Sequence, residues 1–320
     1  MIGAVTARGY RSSLSFGGPG LGFRRRRRVC QLLGKTRLYS TDGEERRETR
    51  LEVIIKRKKE KIQGMLDDLG EEALDDRLTS ATMAGPGTNP FAFSQKISEV
   101  GMVEGRPLLI FEICREDPAE TSESLAQRAK AWVDGGADAL CVRIDEESTP
   151  QGEMDLFMVS KACPNVPIFC RDWFLHPLQI VDAKSAGATG ILGITASVLS
   201  KGSAVMSSFG AALGLDCPVE VVNLNEMKSL EAYGVPFFCM DISVSISIGI
   251  QGFGQDIVKG VLGELPFGAV SIVGIRNIED ARGAREAGAD ALYIRNDIVE
   301  RHGGDEFSLV SSIKAMVDGD

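Results

Sequence analysis

From residue 107 onward the apolar positions fall into two alternating patterns. Short runs rich in β-branched and small apolar residues recur at Pro107–Ile113, Ala139–Ile144, Pro167–Asp172, Gly190–Ala196, Pro218–Asn223, Pro236–Ile242, Ala269–Ile275 and Ala291–Asn296. Each has the length and composition of a strand buried on both faces. Longer stretches of helical period follow each run, at roughly 122–135, 152–162, 177–187, 197–214, 224–233, 253–264, 277–287 and 305–317. Strict alternation of eight strands with eight helices predicts a parallel sheet wrapped by helices.

Three of these helical stretches end in one repeated punctuation: Gly135-Gly136-Ala137-Asp138-Ala139, Ala186-Gly187-Ala188-Thr189-Gly190 and Ala287-Gly288-Ala289-Asp290-Ala291. A glycine there ends the helix in the left-handed region, and small residues turn the chain into the next strand. No glycine-rich dinucleotide fingerprint follows the first run. The pattern therefore predicts a closed (β/α)8 TIM barrel, with an open doubly wound sheet as the alternative. Upstream, residues 49–69 place Leu51, Ile54, Ile55, Ile62, Met65, Leu66 and Leu69 at near-helical spacing, which predicts an extra N-terminal helix lying on a larger body. Residues 80–90 are a loop by composition. The expected organisation is a disordered leader over 1–41, an N-terminal helix and loop packing on the barrel over 42–106, and the barrel over 107–320.

Charge changes the picture at the N-terminus. Residues 1–41 hold nine basic residues (Arg8, Arg11, Arg24 through Arg28, Lys35 and Arg37) and no acid. Subtracting those nine positive charges from the formal −9 leaves −18 for residues 42–320. An acid-free leader containing arginine and serine has the character of an organelle transit peptide, and chloroplast is the expected destination, with mitochondrion second. A basic arm that binds RNA or lipid is the competing reading. So acidic a body is a poor partner for phosphate backbones, so nucleic acid is not expected as a partner. No apolar run reaches the roughly 18 residues a spanning helix needs, and no membrane is expected either. With 43% hydrophobic and only 6% aromatic residues, and 36 glycines, the composition suits an α/β enzyme scaffold better than an all-β sandwich. The seven cysteines contain no C-x-x-C pair and there are two histidines, His176 and His302, so buried thiols are expected and a zinc site is not.

The stretch Val166-Pro-Ile-Phe-Cys-Arg-Asp-Trp-Phe-Leu-His-Pro-Leu-Gln-Ile180 resembles the third βα unit of the indole-3-glycerol-phosphate synthase family. Leu109-Ile-Phe-Glu-Ile113, Leu140-Cys-Val-Arg-Ile-Asp-Glu146 and Pro218-Val-Glu-Val-Val222 are similar to that family's first, second and fifth strands, and the helix at 49–69 matches its additional N-terminal helix. The resemblance spans about residues 49–317. It implies a lyase of tryptophan biosynthesis that closes the indole ring of 1-(2-carboxyphenylamino)-1-deoxyribulose 5-phosphate with loss of carbon dioxide and water. That chemistry takes a cation for the substrate carboxylate, a general acid, a carboxylate base and a phosphate cradle, and no metal or organic cofactor.

Carried over position by position, the resemblance implies Glu112, Arg171 and Glu220 as the catalytic set, with Cys114, Asp241, Ser243, Gly274, Arg295 and Asn296 as substrate-binding positions. Few of the family's groups persist there. Glu112, Glu220 and Gly274 are retained. Cys114 stands where the family has a lysine and carries no fixed charge. Arg171 replaces the general-acid lysine, and a guanidinium is a poor proton donor near neutrality. Asp241 and Ser243 stand for an asparagine and an arginine, Val273 for a serine, and Arg295 for the glycine of the phosphate cradle. The loop Arg115–Glu120 is shorter than the family's and richer in acids.

Each lost electrostatic or general-acid group lowers a rate by about 10²–10⁴-fold. The expectation is therefore a pseudoenzyme: a barrel of this family with reduced or lost catalysis, serving as a regulatory or scaffolding partner in the plastid. Its expected partners are a protein and a phosphorylated small molecule. An active synthase is one alternative. A barrel enzyme with a different ligand is the other: Glu112, Glu220 and Asp241 would gather three acids able to hold a divalent ion, unless Arg171, Arg143 or Arg295 pairs them off.

Overall fold

The computed structural model describes residues 50–87, 89–145, 149, 151–241, 255–302 and 306–318. The expected leader lies outside these residues. The first barrel strand, β1 (Leu108–Ile113), is buried at every position, as a strand covered on both faces must be. It pairs in parallel with β2 (Ala139–Arg143) on one side and β9 (Ala291–Ile294) on the other. The sheet continues from β2 through β3 (Ile168–Arg171) to β4 (Gly190–Leu192), and from β9 through β8 (Val270–Ile275), β7 (Phe237–Asp241) and β6 (Val219–Glu220) to β5 (Ile194–Thr195). β4 and β5 are consecutive halves of one strand, interrupted at Gly193, so the sheet closes on itself as a (β/α)8 TIM barrel. Gly193 has φ 116, and any Cβ there would overlap the carbonyl oxygen of Asp172. Only glycine fits.

Helices α4 (Ser122–Asp134), α5 (Gly152–Ala162), α6 (Pro177–Ser185), α7 (Ala196–Leu199), α8 (Gly202–Ala212), α9 (Leu224–Glu231), α10 (Gln255–Gly263), α11 (Ile278–Glu286), α12 (Asn296–His302) and α13 (Glu306–Asp318) follow the strands. Gly136, Gly187 and Gly288, in the three repeated turns, take φ of 100, 100 and 89, the left-handed caps that the punctuation predicts. The stretch 197–214, read as one helix, is broken into α7 and α8 at Ser200, which holds φ 49.

Three helices precede β1, where the periodicity marks one. α1 (Arg50–Leu69) is the amphipathic helix expected. α2 (Glu71–Met83) buries only Leu74, so it has no apolar stripe for a periodicity to detect, and Arg77 ties it to Asp182 of α6. α3 (Ala92–Val103) drives Phe93 into the N-terminal end of the barrel, edge-on to Phe169 with ring centroids 4.6 Å apart and stacked on Phe237 at 5.8 Å. The first-turn amides of α3, which have no partner within the helix, are satisfied by Asp216, whose Oδ2 accepts from Phe93 N at 2.9 Å and Ser94 N at 3.3 Å.

Strand alternation divides the interior in two. Leu108, Ile110, Ala139, Cys141, Phe169, Leu192, Cys239, Ile272, Ala291 and Tyr293 fill the barrel with Phe93. Leu109, Phe111, Ile113, Leu140, Val142, Val273 and their neighbours face the helices. The inward series continues upward, so Glu112, Arg143, Arg171, Asp241, Gly274 and Arg295 point into the C-terminal mouth.

Candidate functional site

The mouth is built around two carboxylates, each held by its own set of partners. Glu112, at the end of β1, is 4% exposed. Its Oε1 accepts from the Tyr293 hydroxyl at 2.8 Å and its Oε2 from Asn296 N at 3.0 Å. Across the barrel, Glu220 at the end of β6 is 1% exposed and accepts from Thr195 Oγ1 at 2.7 Å. Its other oxygen pairs with Arg171. The second amino group of Arg171 lies 3.6 Å from Asp241, and its guanidinium sits 5.8 Å over the ring of Tyr293. The described side chains therefore join Arg171, Glu220, Asp241 and Thr195 into one cluster, and Tyr293 links it to Glu112.

Burial disfavours charge on Arg171, but Glu220, Tyr293 and Asp241 outweigh it and hold its pKa well above the ordinary value. A cation so held stays protonated. Burial and then Glu112 push the Tyr293 hydroxyl up, and burial does the same to the thiols of Cys141 and Cys239, which stay neutral. None of the six described cysteines is in a disulfide and all are buried; Cys30 lies outside the described residues.

The other candidate positions fall as follows. Cys114 lies just beyond β1, is 3% exposed, and its carbonyl accepts from Arg128 Nη2 at 2.7 Å. Gly274 makes room for Asp241: a Cβ there would stand 2.8 Å from Asp241 Oδ1. Arg295 lies at the mouth, its Nε 3.3 Å from Asp297. Asn296 contributes its backbone N–H to Glu112. Val273 faces the helices. Ser243 lies outside the described residues. Among the described residues no group of three or more His, Cys, Asp or Glu is arranged to hold a metal ion. Glu112, Glu220 and Asp241 instead meet hydroxyl, amide and guanidinium donors.

Three features of the site fall outside the positions the sequence singled out. Lys58 reaches from α1 to Asp172 at the end of β3, while Leu51, Ile55 and Ile62 of α1 pack on Leu175, with Trp173, Val198 and Leu199 alongside. That contact joins residues 114 apart in sequence, and nothing local announces it. Tyr293 was in principle detectable, since alternation along β9 places it two positions before Arg295. The loop after β1 is the third. Arg115 makes a two-pronged pair with Asp155, from Nε at 2.8 Å and Nη2 at 2.7 Å, and Ser122 and Thr149 each donate to the same carboxylate at 2.7 Å. Arg128 takes up Glu120 by two bonds of 2.9 Å and Glu116 at 2.7 Å. Two of the loop's acids, Glu116 and Glu120, are thus neutralised by Arg128 of α4.

Known proteins bear on this geometry. The family model described as indole-3-glycerol phosphate synthase matches residues 51–307. The indole-3-glycerol phosphate synthase of Crocosphaera subtropica is 26% identical over 265 residues, 78% of this chain and 85% of that protein. That of Mycobacteroides abscessus is 27% identical over 240 residues, covering 73% and 85%. The solved structure described as native KDPGal superposes with a TM-score of 0.51 at 18% identity, over 65% of this chain and 95% of that one, a likeness of fold alone.

Proposed function

The chain belongs to the indole-3-glycerol phosphate synthase family, and on that premise we propose that its barrel has lost most or all of the family's ring-closing catalysis and serves the plastid as a regulatory or scaffolding partner. The observation that carries the reading is the pairing of Arg171 with Glu220 and Asp241. Ring closure takes an acid that releases its proton and a carboxylate that accepts one. Here the residue at the acid's position is a guanidinium held protonated by two carboxylates, and Glu220 is engaged by that same guanidinium and by Thr195. The cation due at Cys114 is a buried thiol, and the arginine-rich, acid-free leader supports plastid import.

The test is turnover of 1-(2-carboxyphenylamino)-1-deoxyribulose 5-phosphate by the purified chain, followed by the fluorescence of the indole product. The expected rate lies at least about 10⁴-fold below the ~10 s⁻¹ median of enzymes. A rate within about a hundredfold of that median overturns the reading.

A further inference from the structure

The inner face of α1 is committed to the barrel, through Leu51, Ile55 and Ile62 on Leu175 and through Lys58 on Asp172. Its outer face is divided in charge along the helix axis. Lys56 and Arg57 are exposed towards the start, and Asp67 and Asp68 are exposed in the last turn, where there is no basic residue. Glu71, Glu72, Asp75 and Asp76 of α2, all exposed, extend the acidic end. Among the described residues, no ion pair joins Lys56, Arg57 or Asp68 to another side chain.

Two choices on this face work against the helix itself. Acids in a last turn meet the negative pole of the helix, which disfavours them. Gly64 stands in the helix interior, where glycine is a poor helix former. It is exposed, and a Cβ there would meet nothing within 4 Å, so no contact inside the chain calls for a glycine. A second helix laid across this face accounts for both, bringing a cation to the acids and a backbone close to the glycine. Arg57, Gly64 and Asp68 stand seven and eleven residues along, about two and three turns, so they line one face. Arg57 and Asp68 are then about 16 Å apart along the axis. A second α1 laid antiparallel sets Arg57 of each copy opposite Asp68 of the other, with the two-fold axis near Gln63 and Gly64 beside it.

We propose that the outer face of α1 is a self-association surface, on which two copies of this chain pair isologously through antiparallel α1 helices. A face that is basic at one end and acidic at the other is complementary to itself in that orientation, as a two-fold contact requires. One pair of helices is small for an interface and its charges lie at the surface, so the dimer is weak and loosens as salt rises. The surface is independent of the barrel mouth and of whether ring closure is lost.

The experiment is analytical ultracentrifugation of the full chain over a concentration series, at low and at high chloride. A reversible monomer–dimer equilibrium is expected. Arg57→Glu and Asp68→Lys each set like charges opposite one another at both ends of the pair, and each should weaken the dimer at least about tenfold. Mixed in equal amounts, the two variants regain opposite charges at both ends, and the mixture should recover the parent's affinity. Gly64→Leu places a good helix former where the single chain has open space, so it should leave the unfolding midpoint no lower while weakening the dimer by a similar factor. A chain that stays monomeric up to about 100 μM overturns the surface. So does association that survives either charge reversal or Gly64→Leu, and so does a mixture that fails to recover.

Discussion

At the scale of single residues, the chain keeps its charges inside by giving each a partner. Arg115 and Asp155 are both almost fully buried, with side chains 4% and 1% exposed. Removing one partner of such a pair leaves the other uncompensated, so Asp155→Asn should cost about 3–5 kcal/mol in urea unfolding. Burial opposes the Asp155 charge, yet Arg115, Ser122 and Thr149 prevail and hold its pKa below the ordinary value. Its contribution is therefore whole above about pH 4 and is lost as pH falls through the depressed value. His176 acts at milder pH. It caps α6, its Nδ1 accepting from Leu178 N at 3.1 Å, and burial lowers its pKa. The fold favours the neutral ring, so stability should fall as pH drops below about 6.5 toward the depressed value. His176→Asn, which retains a capping acceptor, should flatten the unfolding midpoint across that window. The identities of Glu112, Arg171 and Glu220 were readable because each ends a strand of recognisable pattern. Their hydroxyl partners were not, because Thr195 meets Glu220 and Tyr293 meets Glu112 only through the closed sheet.

At the scale of elements, every strand of the barrel was legible, since buried parallel strands write themselves as unbroken apolar runs. Periodicity failed where packing rather than pattern makes the helix. α2 has one buried residue, and α3, which buries Ala92, Phe93 and Val100, is further held by one carboxylate distant in the chain. Phe93 plugs the barrel with no exposed surface, and Phe93→Ala should cost about 3–5 kcal/mol by the same unfolding measurement. The break in the fourth barrel strand is stricter still. Gly193→Ala sets a Cβ against backbone at a φ that alanine avoids, and a loss of at least about 4 kcal/mol, or failure to recover soluble protein, is expected.

At the scale of the whole molecule, family and fold were carried by the order of the βα units, and the altered chemistry by the substitutions at their ends. What pattern could not give is how the loop after β1 is held. Arg115 and Arg128 fasten it at several points to α4, α5 and the end of β1, and the tie to α5 is a buried ion pair that cannot part cheaply. The consequence is kinetic. Loops that admit and enclose ligands draw on low-energy local opening, with amide exchange far faster than the core. A loop tied in this way opens only when its ion pairs break. Amides of residues 114–121 should then exchange with solvent at rates nearer to those of α4 than to those of an exposed turn, and Asp155→Asn should speed them selectively. A ligand entering past this loop would not wait for it to swing open, as at a port left permanently ajar.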